Sequence, residues 1–231
     1  MSGRKFFPPA FFFGKGGAVK VMVIFIFLAA VVFGGSLDAW LPREAVVRHE
    51  RYALSFDAAR RVPRWVCWRI EPSTGKVSRA GMGFEPDPGA PLSPAPSEYA
   101  GSGFDLGHMC PAADMASDVE SLRLTFLTSN VAPQLPALNR GDWRELEAAL
   151  RAESASNAVV CVCGPVWVSA TPATIGAGVA VPDAFFKVAW GGTCGVARAW
   201  VIPNRSGNRR PSDYAVPVEA VERATGLTFL R

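Results

Sequence analysis

At 231 residues, 49% of them apolar, the chain is long enough for one full hydrophobic core plus an extension, which excludes a chain that never folds. The formal charge of +4 is carried by residues 1–36, where Arg4, Lys5, Lys15 and Lys20 face no acid; elsewhere basic and acidic residues balance. Net charge is therefore excluded as an argument for a nucleic-acid partner.

The N-terminal segment has a basic start, thirteen consecutive apolar residues over 21–33 and the small residues Gly34-Gly35-Ser36. This is the pattern of a secretory signal. The run is shorter than the roughly 20 apolar residues a spanning helix needs, so a cleaved signal peptide and an uncleaved signal anchor both stand. Residues 1–36 are set apart as signal peptide or signal anchor, and 37–231 as the folded domain. The expected location is exported (periplasmic or extracellular), or membrane-anchored by this segment, which would engage the membrane or the export machinery.

From residue 50 the pattern turns strand-like. Tyr52-Ala53-Leu54-Ser55-Phe56 and Trp65-Val66-Cys67-Trp68-Arg69-Ile70 are aromatic and β-branched runs between turn residues, which predicts an antiparallel pair. Residues 81–103, dense in Gly and Pro, predict a long ordered loop, the kind that usually carries function. Residues 122–129 predict a strand with Asn130 at its end. Pro133 and Pro136 break the chain, and residues 139–155 predict a helix with Trp143, Leu146 and Leu150 on its buried stripe. Asn139 and Glu147 lie eight residues apart on that helix, so they point within about 80° of each other and can address one site. Runs at 159–168, 185–190 and 196–202 predict three more strands. Residues 206–212 read as a polar loop, and 218–224 as a short amphipathic helix closed by Gly226.

The cysteines Cys67, Cys110, Cys161, Cys163 and Cys194 are odd in number, so they cannot all pair within the chain. Cys161 and Cys163 alternate along a strand and should share a face. Buried free thiols are expected; in an oxidising compartment one bridge stays open, with partners unassigned. Arginines crowd two regions, Arg43 to Arg69 and Arg205 to Arg210, in patches that can meet phosphates or simply be solvated.

Of the two histidines, His49 lies in a charged segment, whereas His108 follows Asp105-Leu106-Gly107 and precedes Met109-Cys110-Pro111. A histidine near its ordinary pKa of about 6.5 can act as a general base, and can equally be a core residue bonded to a carbonyl. The neighbouring segments bear on this choice. Asp105-Leu106-Gly107-His108 is followed by Asn130, Pro133-Gln134, Asn139 with Trp143, and Glu147. Gly164-Pro165-Val166, Val181-Pro182-Asp183 and Phe185-Phe186-Lys187 follow in turn. This order resembles the DNA/RNA non-specific endonucleases of the ββα-metal (His-Me finger) class over about residues 50 to 231. One position departs: the family's Arg is Leu106 here.

The resemblance implies an α+β fold, a ββα-metal finger packed on a mainly antiparallel sheet with flanking helices. It implies a hydrolase, a metal-dependent endonuclease cutting phosphodiester bonds of DNA and RNA without sequence specificity. The implied cofactor is Mg²⁺, or another divalent cation such as Mn²⁺. By the same match His108 would be the general base, Asn139 the direct metal ligand, Glu147 the holder of metal-bound water, and Asn130 a residue near the scissile phosphate. Asp105 would orient its neighbours, and Gly107 would allow the turn that presents His108. Arg79 would supply the phosphate contact that Leu106 cannot, with Arg140 and Arg144 as further substrate-binding candidates. Two alternatives are kept: a catalytically weakened nucleic-acid-binding relative, suggested by Leu106, and a phosphodiesterase acting on a non-polymeric substrate.

Overall fold

Near-continuous runs of apolar and β-branched residues become strands buried on both faces, as in Val159–Val166. The computed structural model describes residues 46–72, 77–155, 158–191, 197–205, 207 and 209–229, and the backbone of Ile24–Phe25. The strands that build the central sheet and the site are β1 (Val47–Arg48), β2 (Tyr52–Asp57), β3 (Val62–Ile70), β4 (Asp105–His108), β5 (Val131–Gln134), β6 (Val159–Val166), β7 (Ala184–Gly191), β8 (Arg198–Pro203) and β9 (Ala215–Val216). Seven of them form one antiparallel sheet in the order β9-β8-β7-β6-β3-β2-β1. The expected pairing of the first two long strands holds, with Tyr52 opposite Trp68 and Leu54 opposite Val66.

Parity along the strands sorts the core into two layers. Trp68, Cys161, Cys163, Phe185 and Ala189 face one side; Cys67, Val160, Val162, Phe186 and Val188 face the other. Cys161 and Cys163 thus share a face, as their spacing predicts. All four described cysteines are buried free thiols, and Cys194 lies outside the described residues. On the second face the helix α4 (Val218–Thr225) buries Val218 and Val221, and Gly226 closes it in the left-handed region at φ 73°.

The first face carries the site. A separate two-stranded hairpin, β4 with β5, packs there together with the helices α1 (Val119–Leu124), α2 (Pro136–Arg140) and α3 (Asp142–Ser154). Three local expectations change. Residues 122–129 are not a strand: Asp118 caps α1 by accepting from the Ser121 amide at 2.7 Å, a turn at Thr128–Asn130 follows, and the strand begins only at Val131. The helix over 139–155 is two helices, because Gly141 leaves helical geometry at φ −111° and ψ −112°. Asn139 and Glu147 therefore sit on different axes, and the angle inferred from one helix does not apply. Gly107 makes no turn. It lies inside β4, where a Cβ would collide with the Gln134 side chain on the facing strand.

The proposed N-terminal segment lies outside the described residues, save that Ile24–Phe25 pairs in parallel with Thr228–Phe229. Among the described residues no helix is long and apolar enough to cross a membrane.

Candidate active site

His108 ends β4, and its backbone is held from several sides. The Trp143 indole donates to the His108 carbonyl at 3.4 Å, and the Met109 amide donates to the Asn130 carbonyl at 2.9 Å. The Cys163 thiol donates to the Met109 carbonyl at 3.3 Å. Asn130 is fully covered and spends its whole side chain on backbone: it accepts from the Cys110 amide at 2.9 Å and donates to the carbonyls of Cys110 and Thr125, each at 3.0 Å. With 0% exposure and both amide protons engaged, it braces the turn that follows His108.

The imidazole of His108 sits between Phe84, 5.0 Å away, and Phe126, which meets it edge-on at 5.3 Å. Its Nε2 has no hydrogen-bond partner in the protein. Burial, and after it the positive charge of Arg79, push its pKa down to about 4, so the ring is neutral at physiological pH. Most buried polar atoms in folded proteins are satisfied, so this open ring nitrogen stands out at the site.

A cleft of about 420 Å³ opens at this ring, lined by Arg79, Phe84, Phe104, Leu106 and Asn139 among others. Arg79 is exposed on the loop that precedes β4 and lines the same cleft as Leu106. Asp105 also lines the cleft and organises its polar edge. It accepts from the Asn139 amide at 2.9 Å, and from Arg140 through two bonds of 2.9 and 2.7 Å. Burial alone would raise the Asp105 pKa, but the bonds from Arg140 and Asn139 hold it below the usual carboxylate range. Arg140 thus has its guanidinium fork committed to Asp105. Arg144 is exposed on α3 and does not line the cleft.

Glu147 lies behind the cleft. Its side chain is only 11% exposed, and the Lys187 ammonium stands 3.5 Å from its carboxylate. Burial raises its pKa to about 7 against the pull of Lys187. The first arginine patch is largely committed within the protein: Arg51 contacts Glu71 and Asp118, Arg60 pairs with Asp57, Arg61 with Glu98 and Arg69 with Glu71. Those charges are not a free phosphate track.

Among the described residues no three His, Cys, Asp or Glu side chains gather to hold a metal. Because the Asn139 amide nitrogen is taken by Asp105, its carbonyl oxygen is the acceptor left over at the cleft. A single neutral oxygen backed by a carboxylate fits a hard, largely hydrated divalent ion, and does not fit a zinc site of three or four nitrogen and sulfur ligands.

Sequence reasoning missed Phe126 and Lys187. Phe126 gave no signal, since a Phe in an apolar run reads as core. Lys187 did carry one, as a lone cation inside Phe185-Phe186-Lys187-Val188-Ala189-Trp190. His49, in its charged segment, has a partner the sequence did not show: its Nε2 lies 3.0 Å from the buried Asp87 carboxylate, which pins the start of the sheet to the loop carrying Arg79.

Comparison with known proteins agrees with this geometry. The sequence model of the family described as DNA/RNA non-specific endonuclease matches residues 41–231. Human mitochondrial endonuclease G is 36% identical over 202 residues, covering 78% of this chain and 68% of that protein. A nuclease of Nostoc sp. is 32% identical over 205 residues, covering 82% and 74%. The solved structure of a complex of EndoG with EndoGI superposes with a TM-score of 0.73 at 31% identity, over 81% of this chain and 86% of that one. A hydrolase's cleft built on a ββα finger and a matching sequence along nearly the whole described fold lead to one assignment: the chain belongs to the DNA/RNA non-specific endonuclease family.

Proposed function

We propose that this enzyme hydrolyses phosphodiester bonds within DNA and RNA without sequence specificity, with His108 as general base and a divalent ion, Mg²⁺ or Mn²⁺, held through Asn139. The observation that carries the reading is the unpartnered Nε2 of a neutral His108 beside an arginine-edged cleft. A neutral imidazole can take a proton from attacking water as the new P–O bond forms and the bond to the leaving oxygen breaks. Arg79 binds the phosphate and offsets its charge. An anion in the cleft also screens Arg79 from His108 and so strengthens the base. Phe84 and Phe126 hold the ring in place and keep bulk water off it. Asp105 aims the Asn139 carbonyl by holding its amide, and Glu147 positions water at the site from behind. When bound, the divalent ion supplies Lewis acidity and an acidified water for the leaving oxygen.

The test is digestion of plasmid and RNA by the purified protein, with Mg²⁺ and with EDTA. Cleavage is expected only with metal, and His108→Ala is expected to lose roughly 10²-fold or more. Wild-type turnover by that variant would end the mechanism. Leu106, which offers no donor, favours one other reading, a weakened relative that binds nucleic acid; plasmid bound but left uncut would support it. Residues 1–36 are proposed to direct export, with cleavage near Gly35 or Ser36 or retention as a single anchor, on the strength of their basic start and apolar run. A fusion of this segment to an export-dependent reporter should be active, and a reporter active only in the cytosol would refute it.

A further inference from the structure

Lys187 sits in the middle of β7, flanked by apolar residues, and is completely covered. Strand parity turns it toward the face that carries the site, the side of Phe185 and Ala189. There the ammonium lies 4.1 Å from the centre of the Trp143 ring and 5.1 Å from that of Trp68. A buried lysine is a poor device for stability, because desolvating the charge offsets what the ion pair returns, and well-packed apolar side chains do as well. Its placement therefore calls for another reason.

The surrounding charges narrow that reason. Of the two carboxylates nearby, Asp114 already accepts from Arg151 at 2.7 Å and from the Trp68 indole at 2.8 Å. Glu147 is left facing Lys187, 3.5 Å away. The Trp143 ring beneath the ammonium is also the ring whose N–H supports the His108 carbonyl. One cation thus bears on both halves of the site, on Glu147 directly and on His108 through the indole.

We propose that Lys187 is a positioning residue of the reaction: clamped between two indoles behind the cleft, its ammonium holds the Glu147 carboxylate in place. The assignment rests on the reading of Glu147 as a working residue. Burial opposes both charges. It carries Glu147 up to about 7 even with Lys187 present, and it would lower Lys187, which Glu147 foremost, then the Cys163 and Cys161 thiols and Asp114, hold above its ordinary value. Without the ammonium Glu147 would protonate at higher pH still, with Asp114 pushing in the same direction and only Arg151 opposing.

The test compares Lys187→Met, Glu147→Gln and the double variant in the full chain, each checked for folding by circular dichroism. Lys187→Met is expected to lose at least about 10-fold in kcat with little change in KM, and to move the acidic limb of its pH–rate profile upward by a unit or more. The protonation midpoint of the Glu147 carboxyl, read by ¹³C NMR in metal-free protein, should rise with it. In the Glu147→Gln background Lys187→Met should cost nothing further, since residues that act as one unit are not additive. The proposal is overturned if Lys187→Met keeps wild-type kcat and pH profile, or if it costs as much without Glu147 as with it. Should Lys187→Met alone not fold, the double variant, which removes both charges, decides the matter: activity equal to Glu147→Gln supports the proposal, and a further loss overturns it. Full activity of Glu147→Gln would instead show that the underlying reading of Glu147 is at fault.

Discussion

At the scale of single residues, Arg79 is the one cationic side chain among the described residues that line the cleft, which Leu106 lines too. Arginine can grip two phosphate oxygens at once, and leucine offers no donor. Arg140 does not replace it, because Asp105 already occupies its fork. Arg79→Ala is therefore expected to lower turnover by roughly 10²-fold, the usual cost of one transition-state donor. Arg223→Ala, an exposed charge on α4 over the opposite face of the sheet, serves as the control and should stay within about 2-fold. Leu106→Arg should raise the rate or recover part of the Arg79→Ala defect. Plasmid cleavage rates unchanged by substitution at both positions would show that neither side chain meets the phosphate.

At the scale of elements, the break at Gly141 separates the two polar residues that a single helix would have placed on one face. Asn139, on α2, reaches the cleft and leans on Asp105; Glu147, on α3, lies behind it. If Asn139 is the direct ligand and Glu147 acts through water, Asn139→Ala should weaken metal use more than Glu147→Gln. The latter belongs to the class of outer-sphere changes that cost about 10–100-fold. Mg²⁺ titrations of nuclease activity giving the reverse order would exchange the two roles.

At the scale of the whole molecule, two groups tie stability to acid pH. The folded chain keeps His108 neutral down to about 4, whereas an unfolded histidine binds its proton near 6.5. The depressed folded pKa means that this stability is complete above about 6.5 and is lost as pH falls toward 4. A shift of that size corresponds to a contribution on the order of 3 kcal/mol. Glu98 acts lower. Its carboxylate pairs with Arg61 and accepts from the Ala95 and Ala177 amides, tying the loop before β4 to the rest of the fold. Arg61 foremost holds its pKa down to about 2, so its contribution is present above about 4.5 and fades as pH falls through 2. Glu147, whose folded pKa burial raises to about 7, acts in the opposite sense over the same window, so the His108 contribution is read as a difference between proteins. From pH 7 to pH 5 the urea midpoint of the wild type should fall relative to that of His108→Asn, and parallel curves would remove His108 as a source of acid sensitivity.

The sequence by itself determined the five long strands of the central sheet, the shared face of Cys161 and Cys163, the left-handed close of α4 at Gly226 and the family, because each rests on local periodicity, turn chemistry or a chain of motifs read in order. Only the tertiary structure decided what those residues touch. Gly107 reads as a turn and is a space left for Gln134; Asn130 reads as a residue near the scissile phosphate and has its side chain engaged by backbone; Lys187 reads as one cation in an apolar strand and lies over two indoles facing Glu147. The physical reason is that contacts across the fold are not written in local pattern. A glycine's role depends on what stands where its Cβ would be, and a polar side chain's on which of its donors and acceptors are already satisfied; Cys110 lies 20 residues from Asn130 and Glu147 lies 40 from Lys187.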